Sequence, residues 1–385
     1  MTRSYYSRFV LLFAACYLGA CASPPPLGKP PILPNPDSQV ERAVSFVPGI
    51  GPRLYGNCTR VLSIDGGGIR GIIPAMVLAK IEERTGKPIS KMFDIVVGTS
   101  TGGIIALGLT KPNPNSENIP AYSAHDIVEL YKEHGSEIFP SDFAVFRNVW
   151  RMYRPKYDAD GIDKVFKKYF GDVEFYKALV YVSIPAYEIE TRKHFFFKSW
   201  DFLNSGYFLM RDVARAATAA PTYLPPVRIP VPKEVDERGY LALIDGGVFA
   251  NNPAIYALNT AATSDSGNIL FVSLGTGSVS KPIRFDDAWG WGLLGWTDEL
   301  ISIVFSDPGV EKEVENILTF NPNKYDYFRF QPILQKELSK MDDAGQDHIK
   351  SLENLGEELI KSKEKDLNRI IHLLSLPRPP GCNRL

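Results

Sequence analysis

The stretch "FDIVVGTSTGG", residues 93–103, carries an apolar, β-branched run straight into a cluster of glycine, serine and threonine. The run over 93–97 predicts a buried strand, and "GGIIALGL", residues 102–109, predicts a helix. Between them lies Gly98-Thr99-Ser100-Thr101-Gly102, a G-x-S-x-G sequence. On its own this is a weak signal, because it arises often by chance. With a strand before it and a helix after it, it reads as a nucleophile elbow: small flanking residues let the chain turn sharply and present the Ser100 hydroxyl at a helix N-terminus.

A second glycine cluster lies upstream in "VLSIDGGGIRG", residues 61–71, and admits two readings. Both need glycines after a strand, with backbone N–H groups free at the start of a helix. A dinucleotide site also wants an acidic residue at the end of the second strand, roughly 20 residues beyond the glycines, to hold the ribose. Here the second strand begins with Asp94 and ends in glycine and serine. The expectation is therefore an oxyanion hole. Gly66, Gly67 and Gly68 follow the strand that neighbours Ser100, and their N–H groups are expected to meet the negative oxygen of a tetrahedral intermediate. Arg70 is expected to add charge there or to hold a substrate phosphate; the alternative is a surface salt bridge.

Ser100 needs a base. Of five histidines, His125, His134 and His194 precede the late strands, while His348 and His372 sit in polar helical surroundings with no glycine turn to aim them. They read as solvated surface residues. "YLALIDGGVFANNPA", residues 240–254, is a better source: a strand ends in Asp245-Gly246-Gly247 and delivers a carboxylate to the carboxyl edge of the sheet, where the glycines let the loop come close. A carboxylate with an ordinary pKa near 4 is a feeble base for serine, and partial burial would raise it toward a useful value. Asp65 has the same strand-Asp-Gly-Gly setting and is the rival; it is read as the residue that orders the glycine loop. No H-E-x-x-H, Cys/His cluster or calcium loop occurs, and "MDDAGQD", residues 341–347, reads as a helix-start or loop acid cluster, so neither metal nor cofactor is expected.

From residue 60 onward, short apolar runs ending in Gly or Asp alternate with helical patterns, which predicts a mostly parallel sheet covered on both faces. Strands are expected at "RVLSI", "FDIVV", "LVYVSIPAYEI" with "HFFFKSW" as a pair, "YLALI", "NILFVSL" and an edge strand "YDYFRFQ". Beside the helix "IIPAMVLAKIEER", helices are expected over 126–134, 162–169 and 310–318, and twice between 347 and 374. One α/β domain over 58–376 accounts for the pattern, with a tail at 377–385.

With 385 residues, 44% hydrophobic and 23% charged, the chain can bury a large core. A formal net charge of -1 and a pI near 6.6, with no basic stripe, argue against nucleic acid as a partner. Arg3 and Arg8 precede an apolar run over 9–20 that is too short to span a bilayer and suits a signal peptide. Leu18-Gly19-Ala20-Cys21 resembles a bacterial lipobox, which predicts an exported lipoprotein acylated at Cys21 and held to an envelope membrane; ordinary cleavage at Ala20-Cys21-Ala22, giving a periplasmic or secreted protein, is the alternative. Residues 21–57 are Pro-rich and read as an extended tether. Cys58 and Cys382 are left either bridged or as two free thiols. "WGWGLLGW", residues 289–296, holds three of five tryptophans and reads either as core or lid packing or as a membrane-docking loop.

Taken together, "DGGGIRG", "GTSTGG", "DGG" at Asp245, "ARAATAAPTYLPP" over 214–226 and "SLGTG" at Ser273 resemble the motifs of the patatin-like phospholipases, in the family's order. The resemblance runs from about Arg60 to Leu374 and leaves the N-terminal signal and tether outside the domain. It implies a three-layer α/β/α fold in a single catalytic domain and a Ser100–Asp245 dyad without histidine. The implied activity is acyl-ester hydrolysis of phospholipid or other acyl lipid at a membrane surface, without calcium. An esterase or thioesterase acting on other acyl donors, and a catalytically silent lipid-binding module, are the alternatives.

Overall fold

The structure is a computed structural model that describes residues 58–138, 155–201, 206–262, 268–279, 282–290, 308–319 and 324–376, with residues 292, 296, 299–300 and 303–305 between them. Residues 1–57, where a signal peptide, a lipidated Cys21 and a tether are expected, lie outside the described residues, as do Trp291, Cys382 and the tail at 377–385. Among the described residues, no helix is long and apolar enough to cross a membrane.

Eight strands form the main sheet: β1 (Cys58–Ile64), β2 (Ile95–Gly98), β3 (Tyr181–Glu188), β4 (Lys193–Lys198), β5 (Val227–Pro230), β6 (Tyr240–Asp245), β7 (Asn268–Leu274) and β8 (Tyr325–Phe330). The order is β8-β7-β1-β2-β3-β6-β5, with β4 also paired to β3. The half running from β8 to β3 is parallel throughout. Pairings of β3 with β4, of β3 with β6 and of β5 with β6 are antiparallel.

Side chains alternate between two apolar layers, as the two-residue period of a strand requires. Val61, Ile95, Val97, Ile269 and Phe271 pack with Ala254, Ala257, Leu258, Val314 and Leu318 on one face. Leu62, Ile64, Val96, Val272 and Leu274 pack on the other with Ile72, Ile73, Leu78, Ile105 and Leu352. Strands buried on both faces need continuous apolar sequence, which is why "RVLSI" and "NILFVSL" read as strands without alternation. Helices cover both faces, and the fold is a three-layer α/β/α sandwich.

The expected helices are found at Ala124–Ile138, Asp160–Phe170, Pro308–Thr319, Gln346–Ser362 and Glu364–Ser375. The helix Ile72–Thr85 stops at Gly86, whose left-handed backbone (φ 65) closes it through its N–H to the Glu82 carbonyl. Several elements have no reading in the sequence, among them the edge strand β5, the helix Ala254–Ala262, the helix Met210–Ala217, whose short alanine-rich run offers no long apolar period, and the small hairpin Pro112–Asn113 with Ser116–Pro120.

The expectation for Asp245 needs correction. Its strand, β6, is antiparallel to β3, so Asp245 does not leave the sheet in the direction of the parallel strands. Instead β4 runs along one edge of β3, while β2 and β6 divide the other edge: Val97 is in register with Ser183 and Asp245 with Ala186. The two strands point at each other, and their carboxyl ends meet midway along β3.

At the far side of the sheet, Arg329 of β8 donates to both Asp65 carboxylate oxygens, at 3.1 and 2.6 Å, and to Ser273 Oγ at 2.9 Å; Glu311 approaches its Nε at 3.3 Å. Asp65 thus fastens the end of β1, and with it the start of the glycine loop, to the edge strand. Asp65→Asn is expected to lower stability by about 3 kcal/mol, since it strips a buried guanidinium of its bidentate partner. Thermal unfolding measured beside turnover checks this, with the loss of stability exceeding the loss in the chemical step.

Candidate active site

The elbow has the geometry its sequence implies. Ser100 has φ 53 and ψ -119, a backbone conformation that non-glycine residues adopt only under constraint, and the helix Thr101–Thr110 follows at once. The constraint is close packing: a Cβ on Gly98 would stand 2.1 Å from the Gly102 carbonyl oxygen, and one on Gly102 would stand 2.3 Å from that of Ile64. Thr99 Oγ1 donates to the Ala250 carbonyl at 2.6 Å, tying the elbow to the loop after Asp245. Ser100 is 8% exposed.

Asp245 is fully buried. Its N–H donates to the Ala219 carbonyl at 3.0 Å, and its Oδ1 accepts the Gly247 N–H at 2.7 Å. Gly246 must lack a side chain because a Cβ there would lie 2.4 Å from the Pro185 carbonyl oxygen of β3. Burial pushes the Asp245 pKa up to about 7, with the Ser100 hydroxyl and the Gly247 N–H pulling it partly back. The serine interaction falls short of a full hydrogen bond: Oδ2 is buried and has no hydrogen-bond partner among the described residues. The carboxylate therefore keeps an open acceptor beside the serine.

Two expectations for the glycine loop are overturned. The Gly66 N–H is already committed, to the Asn251 carbonyl at 2.9 Å, and its own carbonyl accepts Thr276 Oγ1 at 2.6 Å. Arg70 neither faces the cavity nor forms a surface salt bridge. It is buried, with Nε donating to the Gly67 carbonyl at 3.2 Å and Nη1 to the Ser339 carbonyl at 3.3 Å, and burial lowers its pKa to about 10. Its contacts tie the glycine loop to the segment around Ser339. Gly67 and Gly68 do line the cavity beside Ser100, and their N–H groups have no partner among the described residues.

The same holds for the Thr101 N–H, the first of the helix and adjacent to the nucleophile; the elbow motif itself was the signal for it. The segment 214–226 supplies a wall through Thr218, Ala220, Tyr223 and Leu224, besides the Ala219 carbonyl that holds Asp245. Asn251 and Thr276, which hold Gly66, and Phe305, whose ring lies against Gly247, had no local signal.

None of the histidines lines this cavity. His125 and His372 are exposed, His134 pairs with Glu137, and His194 stacks on Phe249 at 3.9 Å. His348 departs from the expectation of a solvated residue, for it is half-buried and its Nε2 is enclosed.

Ile104, Ile138, Ile162, Leu224, Phe305 and Met341 give the cavity an apolar wall. Only at the glycine loop, Ser100, Thr101 and a few hydroxyl and carboxyl groups is it polar. This is the lining that suits an acyl chain with a reacting carbonyl at one end.

The model of the patatin-like phospholipase family matches residues 62–258. Patatin-like protein 2 of Arabidopsis thaliana is 31% identical over 353 residues, 82% of this chain and 86% of that protein. Patatin group J-1 of Solanum tuberosum is 30% identical over 362 residues, 84% and 92% of the two chains. Among solved structures, human GIVD cytosolic phospholipase A2 is 10% identical, with a TM-score of 0.39 over 82% of this chain and 60% of that one. The chain belongs to the patatin-like phospholipase family. It is a serine acyl-ester hydrolase, and its substrates are lipids.

The raised Asp245 pKa has a consequence for stability. The folded chain holds this proton up to about pH 7, whereas an unfolded chain releases it near pH 4. The stability linked to that proton is fully present below about pH 4 and is lost as pH rises through about 7. Asp245→Asn, neutral throughout, is expected to be more stable than the parent above pH 7, by up to about 4 kcal/mol, with the advantage vanishing toward pH 4. Denaturant unfolding of both proteins across that range measures it.

Proposed function

We propose that the protein hydrolyses acyl esters of phospholipids or related lipids through a Ser100–Asp245 dyad and an acyl-enzyme, without calcium. The observation that carries this is a wholly buried carboxylate with a pKa near 7 beside a strained serine, at the polar end of an apolar cavity. A base is most effective when its pKa lies near the working pH, and desolvation brings Asp245 there without a histidine.

As Ser100 Oγ attacks the ester carbonyl, its proton passes to Asp245. Negative charge gathers on the carbonyl oxygen, which the N–H groups of Gly67, Gly68 and Thr101 stabilise; one such donor is worth about 3 kcal/mol of barrier. Collapse of the intermediate breaks the ester C–O bond, and the leaving alcohol takes the proton from Asp245. The acyl chain stays on Ser100 in the apolar cavity. Water then attacks, gives its proton to Asp245, and the fatty acid departs as the proton returns to Oγ. No step draws on a metal.

Ser100→Ala and Asp245→Asn are each expected to abolish turnover in folded protein, measured with EDTA present on mixed phospholipids and on a soluble ester. His348→Ala and His372→Ala are expected to keep most activity. For the parent, kcat/KM should fall about tenfold per pH unit below about 7 and level off above it, because only ionised Asp245 accepts the proton. A histidine substitution as damaging as Ser100→Ala would replace the dyad with a triad. Turnover of soluble esters or thioesters with none of phospholipid would shift the substrate class.

The lipobox-like sequence supports a second part of the reading, an exported lipoprotein acylated at Cys21 and tethered by residues 21–57 to a bacterial envelope membrane. Mass analysis of the mature N-terminus is expected to find a diacylated or triacylated Cys21. An unmodified chain starting at Ser23 rules it out.

A further inference from the structure

The eleven exposed large hydrophobic side chains among the described residues are unevenly spread: Ile283, Phe285, Trp289, Leu300, Ile303 and Val304, six of them, lie within 22 residues of chain. Phe285 is 71% and Trp289 79% exposed, and their rings stand against each other at 5.3 Å. Exposed apolar groups this concentrated mark a surface that something covers. The segment ends at Phe305, which is buried. Phe305 lines the cavity that holds Ser100, its ring abuts Gly247 two residues from Asp245, and its carbonyl accepts the Asn251 side-chain amide. The exposed apolar run is therefore continuous in the chain with the wall of the acyl cavity.

Charge narrows the occupant. Residues 282–305 carry one basic side chain, Arg284, against the acids Asp286, Asp287, Asp298 and Glu299. An anionic surface would be repelled, while a surface without net charge offers apolar depth and an interfacial layer that tryptophan and phenylalanine favour. We propose that Ile283, Phe285, Trp289, Leu300, Ile303 and Val304 form the face by which the enzyme docks on a lipid surface of zwitterionic headgroups, setting Phe305 and the acyl cavity against the layer from which the substrate is drawn. This rests on the reading of the protein as a lipid acyl hydrolase. Docking of this kind is driven by apolar burial, so salt leaves it intact and added anionic lipid weakens it.

The test uses the chain from Cys21 onward, expressed without residues 1–20 so that Cys21 carries no acyl group and no other anchor holds it to lipid. Binding is read by flotation with phosphatidylcholine vesicles in a Ser100→Ala background, where no chemistry intervenes, and turnover is read in the active protein on the same vesicles and on a soluble short-chain ester. Phe285→Ser with Trp289→Ser is expected to weaken vesicle binding about tenfold or more. Hydrolysis of vesicle lipid should fall in step, while the soluble ester is turned over at the parent rate with an unchanged unfolding midpoint. Leu300→Ser with Ile303→Ser is expected to behave likewise and serves as the second variant should the first fold poorly. Unchanged vesicle binding in both pairs overturns the proposal. So does equal loss on both substrates with a lowered midpoint, which places these side chains in packing, and so does self-association of the parent without lipid that the substitutions abolish, which gives the face to a second copy. Binding that strengthens with phosphatidylglycerol and is screened by salt overturns the choice of surface. Failure of the parent to hydrolyse any ester would sink the catalytic reading alone, since binding is measured without it.

Discussion

Two strands running head to head along one edge of β3 are the constraint on which the site depends. β2 and β6 approach from opposite directions, and the chain turns out of the sheet where they meet. Ser100 and Asp245 leave from those facing ends, so a serine and a carboxylate 145 positions apart in the chain are neighbours. The space is too tight for alternatives: Gly98 packs on Gly102, Gly102 on the Ile64 carbonyl, and Gly246 on the Pro185 carbonyl. Backbone against backbone gives a stiffer frame than side-chain packing, and stiffness is what holds Ser100 at φ 53.

The surrounding loops are bound to that junction by hydrogen bonds from polar groups that are themselves buried. Thr99 reaches Ala250, Asn251 reaches Gly66 and Phe305, Thr276 reaches Gly66, and Ala219 receives the Asp245 N–H. In a low-dielectric interior each of these is worth keeping, because leaving the group unpaired is costly. The pattern leaves three N–H groups, those of Gly67, Gly68 and Thr101, without a partner among the described residues, and all three residues line one cavity. A frame in which most donors are used and a few adjacent ones are not is preorganised for an anion.

In the proposed dyad, burial of Asp245 serves chemistry at the expense of stability. The desolvation that lifts its pKa to about 7 penalises the ionised form that accepts a proton, and one hydrogen bond from Gly247 offsets only part of the penalty. The strained serine and the unpartnered Oδ2 point the same way. Stored cost of this kind concentrates where function needs it, and it is borne by the two apolar layers that clamp the sheet.

Much of this was legible in order along the chain. Local chemistry determined the elbow, since Gly98, Ser100 and Gly102 between a strand and a helix admit few other structures, and it determined the strands, because a segment buried on both faces must be apolar throughout. Asp245 as the carboxylate near Ser100, and the absence of a histidine from the cavity, also followed from the turns that do or do not aim each side chain. Strand direction was not legible: nothing in "YLALID" says whether it runs with β3 or against it, because both pairings use the same backbone groups and the same face. Nor does the sequence tell which loop groups are spent: by position Gly66 and Arg70 suit an oxyanion, yet Asn251 holds the first and the Gly67 and Ser339 carbonyls hold the second. Those partners lie far off in sequence, and only tertiary packing brings a distant carbonyl within 3 Å of an N–H. Sequence therefore determined which chemical groups the protein can bring to a site. The meeting of β2 and β6 decided which of them face it, because that is set by how distant segments pack rather than by what any one segment prefers.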